Sequence, residues 1–145
     1  MGSKTLSDLS DAMKDIDFAM LLTHTEGGEI AGRPMSNNGE VDYTGDSHFF
    51  SHGDTRSVAD IERDAKVSLS FHGKDGLLGK PGIFIAVEGH ATLLRDKATF
   101  EEHWNPDLER WFEQGADTPG LVLIKVSATR IHYWDGEDEG EILPG

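Results

Sequence analysis

The sequence predicts a small antiparallel β-barrel with short helices at its periphery. Six or seven short segments read as strands, because they are apolar or alternating and are bounded by turn residues. Few of the connections between them are long enough for the crossovers that parallel strands require. No internal repeat or linker divides the 145 residues, so we expect a single domain over residues 1–145.

The N-terminal part predicts a helix followed by a hairpin. Residues 5–17 carry apolar side chains at helical spacing with charged residues between them, which predicts an amphipathic helix within an N-terminal segment 1–17. Residues 18–23 are a short apolar strand that ends at a glycine-containing turn. The returning strand, 30–36, contains Pro34, and a proline within a strand indicates an edge or a bulge.

The middle of the chain predicts three strands and one helix. An asparagine- and glycine-containing turn at 37–39 precedes the first of these strands. Thr55 or Ser57 can cap a short helix over residues 58–63. The strands predicted here are residues 41–43, which form only a weak pattern, then 48–51 and 66–72, the last with clean alternation.

The C-terminal half predicts a long strand, two short helices and a final strand. The glycine-rich loop 73–82 is not a phosphate-binding P-loop, because the required earlier glycine is missing and Pro81 follows Lys80. Gly89 marks a bend in the strand 83–94. The remaining elements are a helix from Asp96 through Phe100 and Trp104, a helix from Asn105 to about Phe112, a strand at 121–126, and its continuation at 129–134.

Composition excludes several classes of protein. The net charge of −14 opposes binding to nucleic acid and to anionic membrane surfaces, but a local pocket can still be positive. The absence of cysteine rules out disulfides and thiolate chemistry. Neither a signal sequence nor a membrane-length apolar run is present, so we expect a cytoplasmic protein. The acidic tail 136–145 is expected to be a solvated end.

The region from Arg33 to Ser57 is the candidate binding site. An aromatic strand there runs into a turn that carries Thr55, Arg56 and Ser57, just where a helix begins. Hydroxyls, unpaired backbone N–H groups at a helix start and an arginine together suit a phosphate. We therefore expect a cofactor that bears a phosphate.

Three other interpretations stay open at this stage. Arg33 and Arg56 can instead pair with the abundant surface carboxylates. His48 and His52 would share one strand face near acidic residues, which is compatible with a metal site although no third ligand is fixed by spacing. Phe50 and its neighbour Phe49 point to opposite faces, so at most one lines a pocket.

Six short motifs, in this order and spacing, resemble the general stress protein 26 family, within the FMN-binding split-barrel proteins related to pyridoxamine 5'-phosphate oxidase. They are Arg33-Pro34-Met35, Phe49-Phe50-Ser51 leading to Thr55, Glu88-Gly89-His90-Ala91, Trp104-Asn105-Pro106, Trp111-Phe112-Glu113-Gln114-Gly115 and Tyr133-Trp134-Asp135. The resemblance implies a six-stranded antiparallel split barrel that forms a homodimer, with FMN at the subunit interface.

The resemblance also implies a role for particular residues. Arg33 and Met35 would lie along the ribityl chain and flavin ring, and Phe50 and Ser51 would line the pocket. The phosphate would be bound by Thr55, Arg56 and Ser57. Trp111 would approach the ring from the partner subunit. Relatives usually carry lysine at the position of Ser57. Three outcomes of this departure stay open: Arg56 holds the phosphate instead, the phosphate is bound more weakly, or the cofactor is a different flavin.

Three functional hypotheses follow, and the third of them is the metalloprotein that uses His48 and His52. The first is a flavoprotein that binds FMN, ahead of FAD or a deazaflavin, and acts as a flavin-dependent reductase or as a flavin carrier in a stress response. The second is a flavin-free ligand-binding or stress-response module on the same scaffold, since a fold does not fix a function. No side chain is marked as catalytic.

Overall fold

Seven antiparallel strands curl into a half-barrel, flanked by three α-helices, in the computed structural model, which describes residues 2–37 and 42–144. The strands are β1 (Phe18–His24), β2 (Ile30–Ser36), β3 (Asp46–His52), β4 (Lys66–His72), β5 (Phe84–Leu94), β6 (Leu121–Asp135) and β7 (Asp138–Ile142). The α-helices are α1 (Leu6–Lys14), α2 (Arg56–Arg63) and α3 (Lys97–His103). Short 3₁₀ helices span Leu77–Gly79, Pro106–Arg110 and Gly115–Asp117.

The strand order leaves the barrel open on one side. The hydrogen-bonded order is β2-β1-β4-β5-β6-β3, so β2 and β3 are the two free edges, and β7 pairs with the second half of β6. Pro34 lies on the edge strand β2, where its missing N–H costs no internal ladder bond. The predicted split-barrel architecture is thereby confirmed, with one strand added.

A β-bulge bends the longest strand pair of the sheet. The register between β5 and β6 shifts at Glu88 and Gly89, and Thr129 is the extra residue on the β6 side. The Thr129 hydroxyl donates to the Glu88 carbonyl at 3.1 Å across the bulge. A bulge sharpens the local bend and twist of its strands. The bend that the sequence predicts at Gly89 is confirmed, and it helps to curl the sheet into a half-barrel.

Apolar side chains from one face of the sheet form the main core. Helix α1 begins with Thr5 as N-cap in a capping box with Asp8, and it packs Leu9 and Met13 into that core. Phe49 is 2% exposed and belongs to the same cluster. Phe50, on the opposite face of β3, packs instead on a second cluster beneath α3. The expectation that the two phenylalanines have different roles is confirmed.

Some boundaries differ from the sequence prediction. Helix α1 ends at Lys14 rather than at residue 17. Of the predicted turn 37–39 only Asn37 is among the described residues. Of the predicted weak strand 41–43, the described residues Asp42 and Tyr43 are not in a strand. The segment after Asn105 is a 3₁₀ helix, Pro106–Arg110.

The acidic C-terminal segment is not a free solvated end, because residues 138–142 form β7 against β6. Its carboxylates do not oppose pairing, since Glu139 and Glu141 face basic groups across the ladder. Glu139 lies 2.8 Å from His132, and Glu141 lies 3.8 Å from Arg130. The Arg130–Glu141 pair has opposite charges, and such cross-strand pairs favour a ladder.

Candidate functional site

A cavity of about 340 Å³ lies in the split between the two edge strands. Its walls come from the end of β2, the end of β3, the start of α2 and the 3₁₀ segment after α3. The lining residues are Phe18, Arg33, Pro34, Met35, Ser36, Phe50, Ser51, His52, Thr55, Ser57, Leu108, Trp111 and Phe112. Edge strands carry backbone groups that no neighbouring strand satisfies, so a split of this kind is a natural place for a ligand.

Three hydroxyl groups meet at one end of the cavity. Ser51 Oγ lies 3.2 Å from Thr55 Oγ1, which lies 3.3 Å from Ser57 Oγ. Thr55 is the N-cap of α2 and accepts a hydrogen bond from the Val58 N–H at 3.4 Å. Hydroxyls at the positive end of a helix favour an anion. This hydroxyl cluster, Ser51, Thr55 and Ser57, carries no charge of its own.

Arg33 enters the cavity from β2 with one side of its guanidinium already bound. Its Nη1 donates to the Thr23 hydroxyl at 2.9 Å and to the Leu21 carbonyl at 3.2 Å. Its Nη2 lies 3.8 Å from Asp60 on α2. Burial lowers the pKa of Arg33, Asp60 opposes this effect, and the charge of Arg56 adds to it.

Aromatic side chains form another part of the cavity lining. Phe50 makes edge-to-face contacts with Phe100 and Trp104, at centroid distances of 5.9 and 4.9 Å, which fix its ring. Trp111 is 52% exposed at the rim. Phe112 packs against the His52 ring at 4.9 Å. A hydroxyl cluster and aromatic side chains in the lining of one cavity therefore suit a planar ligand that carries a phosphate.

A family model described as pyridoxamine 5'-phosphate oxidase like matches residues 4–143 of this sequence. The chain belongs to the pyridoxamine 5'-phosphate oxidase-like family. The resemblance expected from the six motifs is confirmed at that level. Protein bli-3 of Neurospora crassa is 25% identical in an alignment 141 positions long, which covers 88% of this chain and 63% of bli-3. The chain thus spans less than two thirds of that relative.

Two solved structures share the fold. A Clostridium acetobutylicum protein related to general stress protein 26 of Bacillus subtilis, of the pyridoxinephosphate oxidase family, has a TM-score of 0.79 at 19% identity, covering 95% of this chain and 93% of that one. A heme binding protein from Mycobacterium smegmatis also has a TM-score of 0.79, at 9% identity, covering 99% of this chain and 60% of that one. None of the helices in the described ranges is long and apolar enough to cross a membrane.

Seven of the eight residues singled out from the sequence line the cavity of this family member. They are Arg33, Met35, Phe50, Ser51, Thr55, Ser57 and Trp111. Trp111 is part of the cavity lining within its own chain, and its approach to the ring from a partner subunit stays a prediction.

Arg56 is the eighth residue and does not line the cavity. As the first residue of α2 it points to solvent, whereas Ser57, the next residue, is 6% exposed. Within residues 2–37 and 42–144, no carboxylate forms an ion pair with Arg56 within 4.0 Å. Its charge still acts on the pKa of both Arg33 and Asp60, so it contributes to the positive potential near the cavity.

The other lining residues were not predicted as binding residues. Pro34 and Ser36 are neighbours of the predicted residues Arg33 and Met35 on β2, and His52 follows Ser51 on β3. Their position next to predicted residues on an edge strand could have identified them from the sequence. Phe112 directly follows the predicted Trp111, whereas Phe18 and Leu108 were marked by no such neighbour. Only the three-dimensional fold brings them to the split.

The metal hypothesis for His48 and His52 gains no support from their positions. His48 stacks on His103 of α3 at a centroid distance of 4.0 Å, and His52 contacts Phe112. In the part of the chain that the structure describes, no group of three or more His, Asp or Glu side chains is placed to hold a metal ion.

The His48–His103 stack predicts how stability depends on pH. Burial lowers the pKa of His48, and the neighbouring His103 charge lowers it further. The unfolded chain then binds more protons than the folded one below pH about 6.5, so the free energy of unfolding should fall as the pH drops and level off below the lowered pKa. We expect His48→Asn to flatten this slope in urea titrations between those limits, and His103→Asn to flatten it in part. An unchanged slope in His48→Asn would contradict the prediction.

Proposed function

We propose that this protein binds FMN in the split between β2 and β3. The observation that carries the proposal is the pairing of a hydroxyl cluster at the start of α2 with a wall of aromatic and apolar side chains in one cavity. A phosphate monoester suits the hydroxyl cluster, and a planar isoalloxazine ring suits the aromatic and apolar side chains. Membership of the pyridoxamine 5'-phosphate oxidase-like family supports the same choice.

The residues present fit the cofactor in defined ways. Thr55 and Ser57 would bind the phosphate, together with Arg33, whose remaining N–H groups would also donate to the ribityl chain. Met35, Phe50 and Ser51 would line the ring and the chain. Trp111, half exposed at the rim, would cover one face of the ring.

The bound flavin would supply the electron-transfer chemistry, and the protein would supply position and electrostatics. A flavin-dependent reductase and a flavin carrier are both compatible with this arrangement. Reduction of the bound flavin by a nicotinamide donor under anaerobic conditions, followed by transfer to an acceptor, would support the reductase. A bound flavin that no donor reduces would support the carrier.

A homodimer is part of the proposal. The outward face of β1, β5 and β6 exposes large apolar side chains, Phe18, Met20, Phe84 and Trp134, each between 39% and 50% exposed. Phe18 also lines the cavity, so this face is continuous with the site. Apolar patches of this kind mark interfaces. We infer that a second copy covers them in the cytoplasm; light scattering of the purified protein should give the dimer mass, and a monomer mass would contradict it.

Haem is a second candidate because His52 brings an imidazole into an aromatic-walled cavity, and because the heme binding protein from Mycobacterium smegmatis has the same fold. Imidazole is a common axial ligand of haem iron. Low identity to that protein makes this a weaker choice than FMN.

The deciding experiment is a visible spectrum of the purified protein, followed by separate titrations with FMN, FAD and hemin. We expect saturable quenching of flavin fluorescence with FMN. A Soret band after addition of hemin, lost in His52→Ala, would favour haem. A protein that binds none of the three would be a flavin-free module on this scaffold.

A further inference from the structure

Asp60 is a buried carboxylate that stands outside the cavity-lining set. It lies on α2 one turn after Ser57 and is 2% exposed. Its Oδ1 accepts a hydrogen bond from Arg63 at 2.7 Å, and its Oδ2 accepts one from the Thr23 hydroxyl at 2.8 Å. Burying a carboxylate costs desolvation free energy that even good partners only partly offset. A contribution to fold stability is therefore a weak explanation for a buried Asp60.

Asp60 stays ionised in this position. Burial acts to raise its pKa, but the hydrogen bonds from Thr23 and Arg63, with the charges of Arg63 and Arg56, outweigh burial and hold the pKa below its usual value. A permanent negative charge therefore sits 3.8 Å from the guanidinium of Arg33. On its own, this charge would weaken the binding of any anion in the cavity.

Thr23 joins Asp60 to Arg33 in a fixed order. The hydroxyl has one proton, which it donates to Asp60, so its lone pair accepts from Arg33 Nη1 at 2.9 Å. The Leu21 carbonyl takes a second hydrogen bond from Nη1 at 3.2 Å. Thr23 is 1% exposed, so water does not compete for these bonds. The Nη1 side of the guanidinium is thereby held against the sheet.

The opposite edge of the guanidinium, Nε and Nη2, is the edge left for a ligand. Among the described residues, no acceptor lies within hydrogen-bond distance of these two nitrogens. Two adjacent N–H groups of this kind bind an oxyanion through parallel hydrogen bonds. Arg33 is also the one arginine or lysine in the cavity-lining set. Its orientation therefore decides how the negative charge of a bound anion is compensated in the cavity.

We propose that Thr23 and Asp60 are positioning residues that turn the Nε–Nη2 edge of Arg33 toward the phosphate monoester of the bound cofactor. The inference rests on the proposed flavin site and adds two residues that do not contact the ligand. Because the positioning role and the charge of Asp60 have opposite effects on anion affinity, a substitution distinguishes them by the sign of its effect.

Thr23→Val tests the proposal because it removes the hydroxyl while keeping size and charge. We expect affinity for FMN, measured by fluorescence quenching, to fall about tenfold, the effect of one charge-assisted hydrogen bond, and affinity for riboflavin to stay within about twofold. Thr25→Val, a buried threonine in the β1–β2 turn, is the matched control and should change neither affinity. Equal weakening of both flavins, or no weakening of FMN, would overturn the proposal.

Asp60→Asn is an independent test, because a positioning role and a purely electrostatic role of Asp60 predict changes of FMN affinity in opposite directions. Positioning predicts weaker FMN binding, whereas a purely electrostatic role predicts stronger binding. In an Arg33→Gln background, neither Thr23→Val nor Asp60→Asn should weaken FMN further, because their effects act through Arg33. Additive losses in the double variants would contradict the proposed route.

A readout without ligand separates this inference from the flavin site. In the unliganded protein, the Arg33 guanidinium should give resolved NMR signals with hindered rotation, identified by their loss in Arg33→Lys. These signals should average in Thr23→Val. If these NMR signals appear as expected while FMN fails to bind the wild-type protein, the proposed cofactor is wrong, and the positioning of Arg33 by Thr23 and Asp60 is still supported. If Thr23→Val leaves the signals unchanged, Thr23 does not position Arg33 and the inference is wrong.

Discussion

Replacement of Arg33 by alanine is expected to weaken FMN binding on the order of 100-fold, because two charge-assisted hydrogen bonds to the phosphate are lost together. The side chain is largely buried and lines the cavity beside the hydroxyl cluster. Riboflavin, which lacks the phosphate, should lose much less affinity. Fluorescence quenching titrations with both flavins, at matched ionic strength, measure the difference.

Arg56→Ala is the informative comparison, since the sequence alone favours Arg56 as the phosphate ligand. Its side chain is outside the cavity-lining set and acts on Arg33 and Asp60 only through its field. We therefore expect a smaller loss of FMN affinity than for Arg33→Ala, and one that disappears as salt screens the charge. An Arg56→Ala loss as large as that of Arg33→Ala, and insensitive to salt, would place the phosphate at the outer face of α2.

Local patterns were sufficient to predict much of the fold. The strand predicted at 66–72 and that at 30–36 have the same limits in the structure, since alternation or a flanking turn marks both ends of each. The strand β7 could not be found in this way, because its residues are mostly acidic. Its pairing with β6 brings Glu139 and Glu141 beside His132 and Arg130, contacts that only the folded hairpin provides.

In the binding site, too, the sequence predicts contacts between residues that are close in the chain and not contacts between distant ones. Ser51, Thr55 and Ser57 are close in sequence, so the strand–turn–helix pattern predicts that they meet. The orientation of Arg33 depends on Asp60, which is 27 residues away and reaches it only because α2 packs against β1. Sequence spacing contains no information about such a contact. For the same reason, the sequence favoured Arg56, the nearest cation in the turn, although the first residue of α2 faces solvent.

Gly89→Ala is expected to destabilise the fold by about 3 kcal/mol, at the upper end for an overpacked site. A Cβ at this position would lie 2.4 Å from the Ser127 carbonyl oxygen and 3.1 Å from its carbon, so it meets backbone rather than a flexible side chain. The neighbouring strand can give way only by opening the bulge between β5 and β6. Urea denaturation should show the loss as a lower midpoint, and Gly27→Ala, whose Cβ meets nothing within 4 Å, should change it by less than about 0.5 kcal/mol.

The same substitution links the fold to the site. The bulge bends the sheet, and the bend helps to set how far apart the edge strands β2 and β3 stand across the cavity. Under conditions where Gly89→Ala remains folded, a changed bend should separate the hydroxyl cluster from Arg33 and weaken FMN and riboflavin alike, unlike Thr23→Val, which should weaken FMN alone. Unchanged binding of both flavins by a destabilised Gly89→Ala would show that the geometry of the split does not depend on the bulge.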